Sequence, residues 1–180
     1  MDSLLPLELA KKAESCYKDE DFQQAAELYA RAAQTYMDLG EPANAAEMKN
    51  NQSVALLQAG DAQNAYFFAK GTDLTFAEAG DKRRQAMALG NQAAALEELK
   101  KKDEALKLYQ EAALIFEEIN EKDLRAYVLK RISALQVRNG KQLNALASMN
   151  AALINKEKLT FQEKILKWLT NTVFKLFNRA

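Results

Sequence analysis

The chain has 180 residues, of which 48% are hydrophobic and 28% are charged, a composition typical of a soluble globular protein. Its two prolines and six glycines are too few for the turns of an all-β fold. Histidine is absent and Cys16 is the only cysteine, which excludes a disulfide framework, the common zinc sites and histidine-dependent catalytic triads. No glycine-rich phosphate loop occurs either. We therefore expect no catalytic residues, no metal and no cofactor.

Charge is distributed unevenly although the formal net charge is zero. Residues 1–60 carry five basic and ten acidic side chains, whereas residues 121–180 carry twelve basic and four acidic ones. This polarity can steer an acidic partner to the C-terminal third, can permit head-to-tail association of copies, or can reflect drift along the surface. The N-terminus lacks the basic and apolar regions of a secretory signal, and no apolar run reaches the roughly 18 residues of a membrane span. We expect a cytoplasmic protein.

Apolar residues recur three and four positions apart along most of the chain, which predicts amphipathic helices. Glycine or asparagine, followed by an acidic residue or proline, separates most of these segments, as helix ends require. The predicted antiparallel pairs span residues 6–18 and 21–38, 42–58 and 62–78, 82–100 and 103–118, and 122–138 and 142–156. A ninth helix is expected after Thr160, where Thr160 and Glu163 have the spacing of a capping box.

The helix pairs repeat with a period of 40 residues, because small residues fall into columns at that spacing. The columns are Ala25, Ala65, Ala105 and Ala145; Ala13, Ser53, Ala93 and Ser133; and Ala32, Thr72, Ala112 and Ala152. Small residues allow two helices to cross closely. A single pair cannot bury its own apolar face, so neighbouring pairs are expected to stack.

These columns resemble the tetratricopeptide repeat (TPR) family over about residues 6–156. Ala25, Tyr29 and Ala32, and likewise Ala105, Tyr109 and Ala112, match the family's second-helix pattern. The family's usual repeat is 34 residues, and the longer period is similar to that of soluble NSF attachment protein-like adaptors. The resemblance implies an all-α fold, a right-handed α-solenoid of four helix pairs. It would cover residues 1–158, with repeats at about 6–40, 41–80, 81–120 and 121–158, and residues 159–180 would form a C-terminal capping helix.

The resemblance also implies that the first helices of the pairs line a concave groove. One polar column lies on these helices, and with its neighbours it forms the candidate peptide-binding set: Lys11, Asn50, Asn51, Asn91, Tyr127, Lys130 and Arg131. Side-chain amides can both donate to and accept from an extended peptide, and the basic residues can bind a carboxylate. In chaperone-binding members of the family such residues clamp a C-terminal carboxylate, although here Tyr127 replaces a basic residue. The alternative is a merely solvated polar face.

The last helix carries a second candidate surface. Its apolar stripe, flanked by basic residues, comprises Phe161, Ile165, Trp168, Leu169, Val173 and Phe177. This pattern fits a terminal cap of the repeat array, a helix lying on an anionic membrane or in a partner's groove, or self-association. The basic runs lack interleaved aromatic residues, so nucleic acid is not an expected partner.

The leading prediction is therefore a non-enzymatic scaffold that binds a peptide or partner protein in its groove. The alternative is a peripheral membrane adaptor that uses the last helix.

Overall fold

A computed structural model of the chain describes residues 5–156 and 158–177. The side chains of residue 155 and of residues 174–177 lie outside this description, and so does the candidate docking side chain of Phe177.

Within these described residues the chain forms ten α-helices and no strands. The helices are α1 (Pro6–Lys18), α2 (Phe22–Asp38), α3 (Pro42–Gln58), α4 (Ala62–Ala69), α5 (Thr72–Glu78), α6 (Lys82–Glu98), α7 (Lys102–Glu118), α8 (Lys122–Arg138), α9 (Gln142–Asn155) and α10 (Phe161–Phe177). The predicted all-α architecture is confirmed, and the helix ends agree with the expected ones to within two residues except in the second repeat. None of the described helices combines the length and hydropathy that a membrane-spanning segment needs.

The second helix of the second repeat is not continuous, and the expected single helix over residues 62–78 was wrong. The helix is interrupted between α4 and α5 at Lys70 and Gly71, where Gly71 has a left-handed φ of 85°. That conformation is available to glycine at little cost and interrupts the helical hydrogen bonds. The hydroxyl of Thr72 donates a 2.7 Å hydrogen bond to the carbonyl oxygen of Ala69 across the break, so the kink is held by a local bond.

The turns between helices are regular. Every twentieth residue from 20 to 140 has a left-handed φ, and these residues are Glu20, Gly40, Gly60, Gly80, Lys100, Asn120 and Gly140. In each case the N–H of the next residue returns to a carbonyl oxygen of the preceding helix, as from Asp21 to Cys16 at 2.8 Å. This is the geometry of a helix C-terminus closed by a left-handed residue.

The small-residue columns form the buried contacts between helices. Ala25, Ala65 and Ala105 have no exposed surface, and the equivalent Ala145 has 3%. The other two columns are buried as well, including Ser53, Thr72 and Ser133. All three columns are therefore buried, as close helix crossings at small side chains require.

The chain divides into two compact units, Met1–Ala105 (unit 1) and Leu106–Ala180 (unit 2), and the boundary falls within α7. The predicted division into a repeat array over residues 1–158 and a C-terminal helix over residues 159–180 stays a prediction. In unit 1, residues of α1, α2, α3 and α4 share one core, which includes Leu9, Leu28, Tyr29 and Leu56. In unit 2, α9 packs against both α8 and α10.

The expected capping box begins α10. The backbone N–H of Thr160 donates to Oε2 of Glu163 at 2.9 Å, and the N–H of Glu163 donates to Oγ1 of Thr160 at 3.3 Å. This reciprocal pair satisfies two helix-end donors.

Candidate functional site

One side of α3 and one side of α6 remain accessible in unit 1, and we call this surface the α3–α6 face. Its residues follow helical spacing and are all half-buried or exposed: Asn44, Glu47, Asn51, Val54 and Gln58 on α3, and Arg84, Met87, Asn91, Ala94 and Glu98 on α6. Each residue of α6 in this set lies 40 positions after its counterpart on α3. The repeat thus places equivalent side chains on the accessible side of two packed helices.

Two polar bridges join the helices along this face. Nη1 of Arg84 on α6 lies 2.9 Å from Oε2 of Glu47 on α3. About two turns further along α6, Nδ2 of Asn91 donates a 3.2 Å hydrogen bond to Oδ1 of Asn50. The first bridge joins the two accessible rows directly, and the second joins the accessible row of α6 to a buried residue of α3.

Asn50 differs from the other residues of the candidate set in being buried, with 6% of its surface exposed. Its amide faces α6 and orients Asn91, which is half-buried. The second N–H of the Asn91 amide and the whole amide of the half-buried Asn51 add donor and acceptor capacity on the face. The face therefore presents two amides at equivalent positions, one of which is held by a buried neighbour.

Arg84 anchors one end of the face through several contacts. Its Nε lies 2.6 Å from Oδ2 of Asp81, and its guanidinium lies over the ring of Phe76 at 5.1 Å. The backbone N–H of Arg84 and then its guanidinium lower the pKa of Asp81, because both bonds favour the ionised carboxylate. At this end of the face the charge of Arg84 is therefore paired with the carboxylates of Asp81 and Glu47.

The remaining candidate peptide-binding residues lie on other helices. Lys11 is exposed on α1 in unit 1. Tyr127, Lys130 and Arg131 lie on α8 in unit 2, where Tyr127 is exposed and Nε of Arg131 donates to the hydroxyl of Tyr109 at 3.3 Å. Lys130 turns toward α10, with its Nζ 2.6 Å from Oε1 of Glu163. The structure brings together Asn50, Asn51 and Asn91, whereas Lys130 takes part in a structural ion pair.

A second surface feature, in unit 2, was not anticipated from the sequence. It is an open groove of about 420 Å³, lined by Gln110, Ala113, Leu114, Glu117, Arg125, Leu129, Ile132, Gln136 and Ser148. At one point the hydroxyl of Ser148 donates to Oε1 of Gln136 at 2.8 Å. Gln136 stands in the column of Leu56 and Leu96, and Ser148 in that of Phe68 and Leu108. In the sequence, the groove could have been predicted only from these two polar residues, which occupy otherwise apolar columns.

The candidate docking residues of α10 are largely exposed. Phe161 and Trp168 have 78% and 65% of their surface exposed, and Ile165 and Leu169 have 45% and 46%. Val173 is half-buried. The apolar stripe of this helix is therefore turned mainly to solvent rather than into unit 2.

Charged side chains in the described part of the chain do not form a metal site, since no group of three or more potential ligands occurs there.

Comparisons with known proteins bear on the fold. No family model matches the sequence, and no curated protein matches it. Among solved structures, 43 chains are similar. One is the crystal structure of BtubC (BKLC) from P. vanneervenii, with a TM-score of 0.74 and 20% sequence identity over 93% of this chain and 72% of that chain. The two chains share a fold. Together with the consecutively paired helices, this likeness confirms the expected all-α fold of the α-solenoid class.

Proposed function

We propose that this chain is a non-enzymatic protein-interaction module that binds an extended peptide on the α3–α6 face. The observation that carries the proposal is the pair of accessible amides, Asn51 and Asn91, at equivalent positions on neighbouring helices, with Asn91 oriented by Asn50.

We also propose that the repeats are of the TPR type. The burial of the small-residue columns supports this assignment, because the same columns carry the resemblance in the sequence. The 40-residue period is longer than the roughly 34 residues usual for the family. A location in the cytoplasm stays a prediction.

Two amides on adjacent helices suit the backbone of a peptide. Helix axes in contact lie about 8–10 Å apart, and an extended chain rises about 3.3 Å per residue. Asn51 and Asn91 would therefore meet peptide groups about three residues apart. Each amide offers a donor and an acceptor, so each can satisfy both the N–H and the C=O of one residue.

We expect the bound peptide to carry an acidic side chain or a free C-terminal carboxylate, because basic residues belong to the candidate set. Lys11 is exposed on α1 of the same unit and can attract a carboxylate as a point charge. Arg131 in unit 2 stays a predicted carboxylate ligand. Arg131 lies on α8 and is not part of the α3–α6 face.

A peptide array tests the proposal. The purified full chain is applied to synthetic peptides that are each made with a free and with an amidated C-terminus, and the best peptide is then titrated by calorimetry. The double variant Asn51→Ala/Asn91→Ala should weaken binding by about 1–3 kcal/mol. Far-UV circular dichroism should show unchanged helicity.

The chain provides a matched control. Gln23 and Gln63 are exposed amides that lie 40 residues apart on the second helices α2 and α4. The variant Gln23→Ala/Gln63→Ala removes the same chemistry elsewhere and should bind the peptide as the unaltered chain does. Equal binding by the two double variants would refute the α3–α6 face as the site, and a lack of binding to any peptide would refute the function.

A further inference from the structure

Polar side chains of α10 contact the rest of unit 2. Thr170 is 1% exposed and its hydroxyl lies 3.0 Å from Oδ1 of Asn150 on α9. On the same side of the helix, Glu163 is held by Lys130 and Lys156 at 2.6 and 2.9 Å. These polar bonds hold Glu163 and Thr170 toward the rest of unit 2, and the described apolar residues on the other side of the helix stay exposed: Phe161, Ile165, Trp168 and Leu169.

The outward stripe has the chemistry of a membrane-surface helix. Phe161, Ile165, Trp168 and Leu169 lie within about one third of the helix circumference, because each residue advances by about 100°. Such a face can enter the boundary between headgroups and acyl chains to a depth of roughly 5–10 Å. Tryptophan is enriched at that boundary because its ring is apolar while its N–H remains hydrated.

The charge beside the stripe favours an anionic surface. Lys164 is exposed next to Phe161, Ile165 and Trp168, and Lys167 is half-buried. From 161 to 173, the part of α10 with described side chains, Glu163 is the only acidic residue, and it is engaged with lysines on the inward side. The stripe therefore has a basic border and no outward carboxylate.

A second copy of the chain fits this surface less well. Two α10 stripes placed face to face would bring equivalent lysines together without a carboxylate between them, and like charges at a shared interface oppose association. An anionic lipid surface supplies the missing negative charge together with an apolar layer.

From these observations we infer that α10 attaches the chain peripherally to an anionic lipid surface through Phe161, Ile165, Trp168 and Leu169, with Lys164 at the headgroups. This role is separate from peptide binding on the α3–α6 face. It requires no rearrangement of unit 2, since the stripe is already exposed.

Trp168 makes the test specific, because it is the only tryptophan of the chain. The full chain is mixed with vesicles of phosphatidylcholine alone or of phosphatidylcholine with phosphatidylserine, at low and high salt. We expect cosedimentation and a blue shift of tryptophan emission with the anionic vesicles. Both signals should weaken at high salt, because exposed charges are screened. Lys164→Glu should lower the affinity by on the order of tenfold.

The variant Ile165→Asp/Leu169→Asp should abolish cosedimentation. Its matched control is Phe67→Asp/Leu74→Asp, which adds the same charges at two exposed apolar positions of unit 1 and should bind vesicles normally. Circular dichroism checks that both variants remain helical. Asn51→Ala/Asn91→Ala should also bind vesicles normally, which separates this inference from the proposed function.

Three results would overturn the inference: no binding to anionic vesicles, equal binding to neutral vesicles, or a dimer in analytical ultracentrifugation that Ile165→Asp/Leu169→Asp dissociates. The last result would identify a second copy as the occupant of the stripe.

Discussion

Asn91 on α6 donates a 3.2 Å hydrogen bond through its Nδ2 to Oδ1 of Asn50 on α3. The bond couples a buried residue to an accessible one across a helix contact. Under the proposed function, the buried Asn50 would act on a bound peptide only through the orientation of Asn91.

A double-mutant cycle measures this coupling. Asn50→Ala and Asn91→Ala should each lower the free energy of unfolding, and the double variant should lower it by about 1 kcal/mol less than the sum, since one hydrogen bond is lost only once. Urea denaturation followed by circular dichroism provides the values. Strictly additive effects would show that the bond does not contribute to stability.

Two glycines should respond in opposite ways to the same substitution. Gly71 has a left-handed φ, so Gly71→Ala should destabilise the chain by about 1–2 kcal/mol. Gly90 lies inside α6, and a Cβ there would meet no atom within 4 Å. Gly90→Ala should therefore stabilise the chain by about 0.5–1 kcal/mol. The denaturant midpoint of each variant is compared with that of the unaltered chain. A stabilising Gly71→Ala would indicate that the kink is not retained in solution.

Acid should weaken the attachment of α10 within unit 2. The pKa of Glu163 is well below its usual value of 4.5, because Lys130, the N–H of Thr160 and Lys156 all bond to the carboxylate. A lowered pKa stabilises the folded state above the usual value, and this stabilisation is lost as pH falls from about 4.5 toward the lowered pKa.

The variant Glu163→Gln isolates this effect. Its free energy of unfolding should be lower than that of the unaltered chain at neutral pH, and the difference should shrink as the pH falls below the usual carboxyl pKa. Denaturation curves recorded at successive pH values provide the comparison. A difference that is independent of pH would show that the Glu163 carboxylate does not supply the stabilisation.

Filling the groove of unit 2 should increase stability. Gln136→Leu/Ser148→Phe replaces the hydrogen-bonded pair with the residue types found at Leu56 and Phe68 in the second repeat. Because both partners are exchanged, neither is left as an unpaired polar group. Groove filling of this kind commonly adds about 0.5–2 kcal/mol. A decrease in the denaturation midpoint would mean that the helices around the groove are spaced differently from those of the second repeat.

The helices were predictable because their signals are local. Apolar spacing and end residues such as Gly40 with Pro42 lie within a few positions of the boundary that they specify. The small columns were predictable because repetition makes one packing contact visible several times, as at Ala25 and Ala65. The break at Gly71 was missed, since glycine is tolerated inside a helical pattern and its φ depends on the packing around it.

The candidate site was predictable only in part. Helical spacing placed Asn51 and Asn91 on equivalent positions, but it does not distinguish the accessible Asn51 from the buried Asn50, which depends on the neighbouring helix. The outward orientation of the α10 stripe depends on the ion pair between Glu163 and Lys130, which are 33 residues apart. A contact of that sequence separation leaves no trace in local periodicity.

The left-handed turns recur at every twentieth residue from Glu20 to Gly140, so successive turns are separated by segments of equal length. Deleting a single residue in the middle of a helix would rotate the remainder of that helix by about 100° and carry its buried alanines out of their contacts. Duplicating a stretch of forty residues would add one more helical hairpin. All the remaining helices would keep their buried residues in register with their neighbours. The gene can therefore lengthen or shorten by whole hairpins much more readily than it can tolerate the loss of one codon.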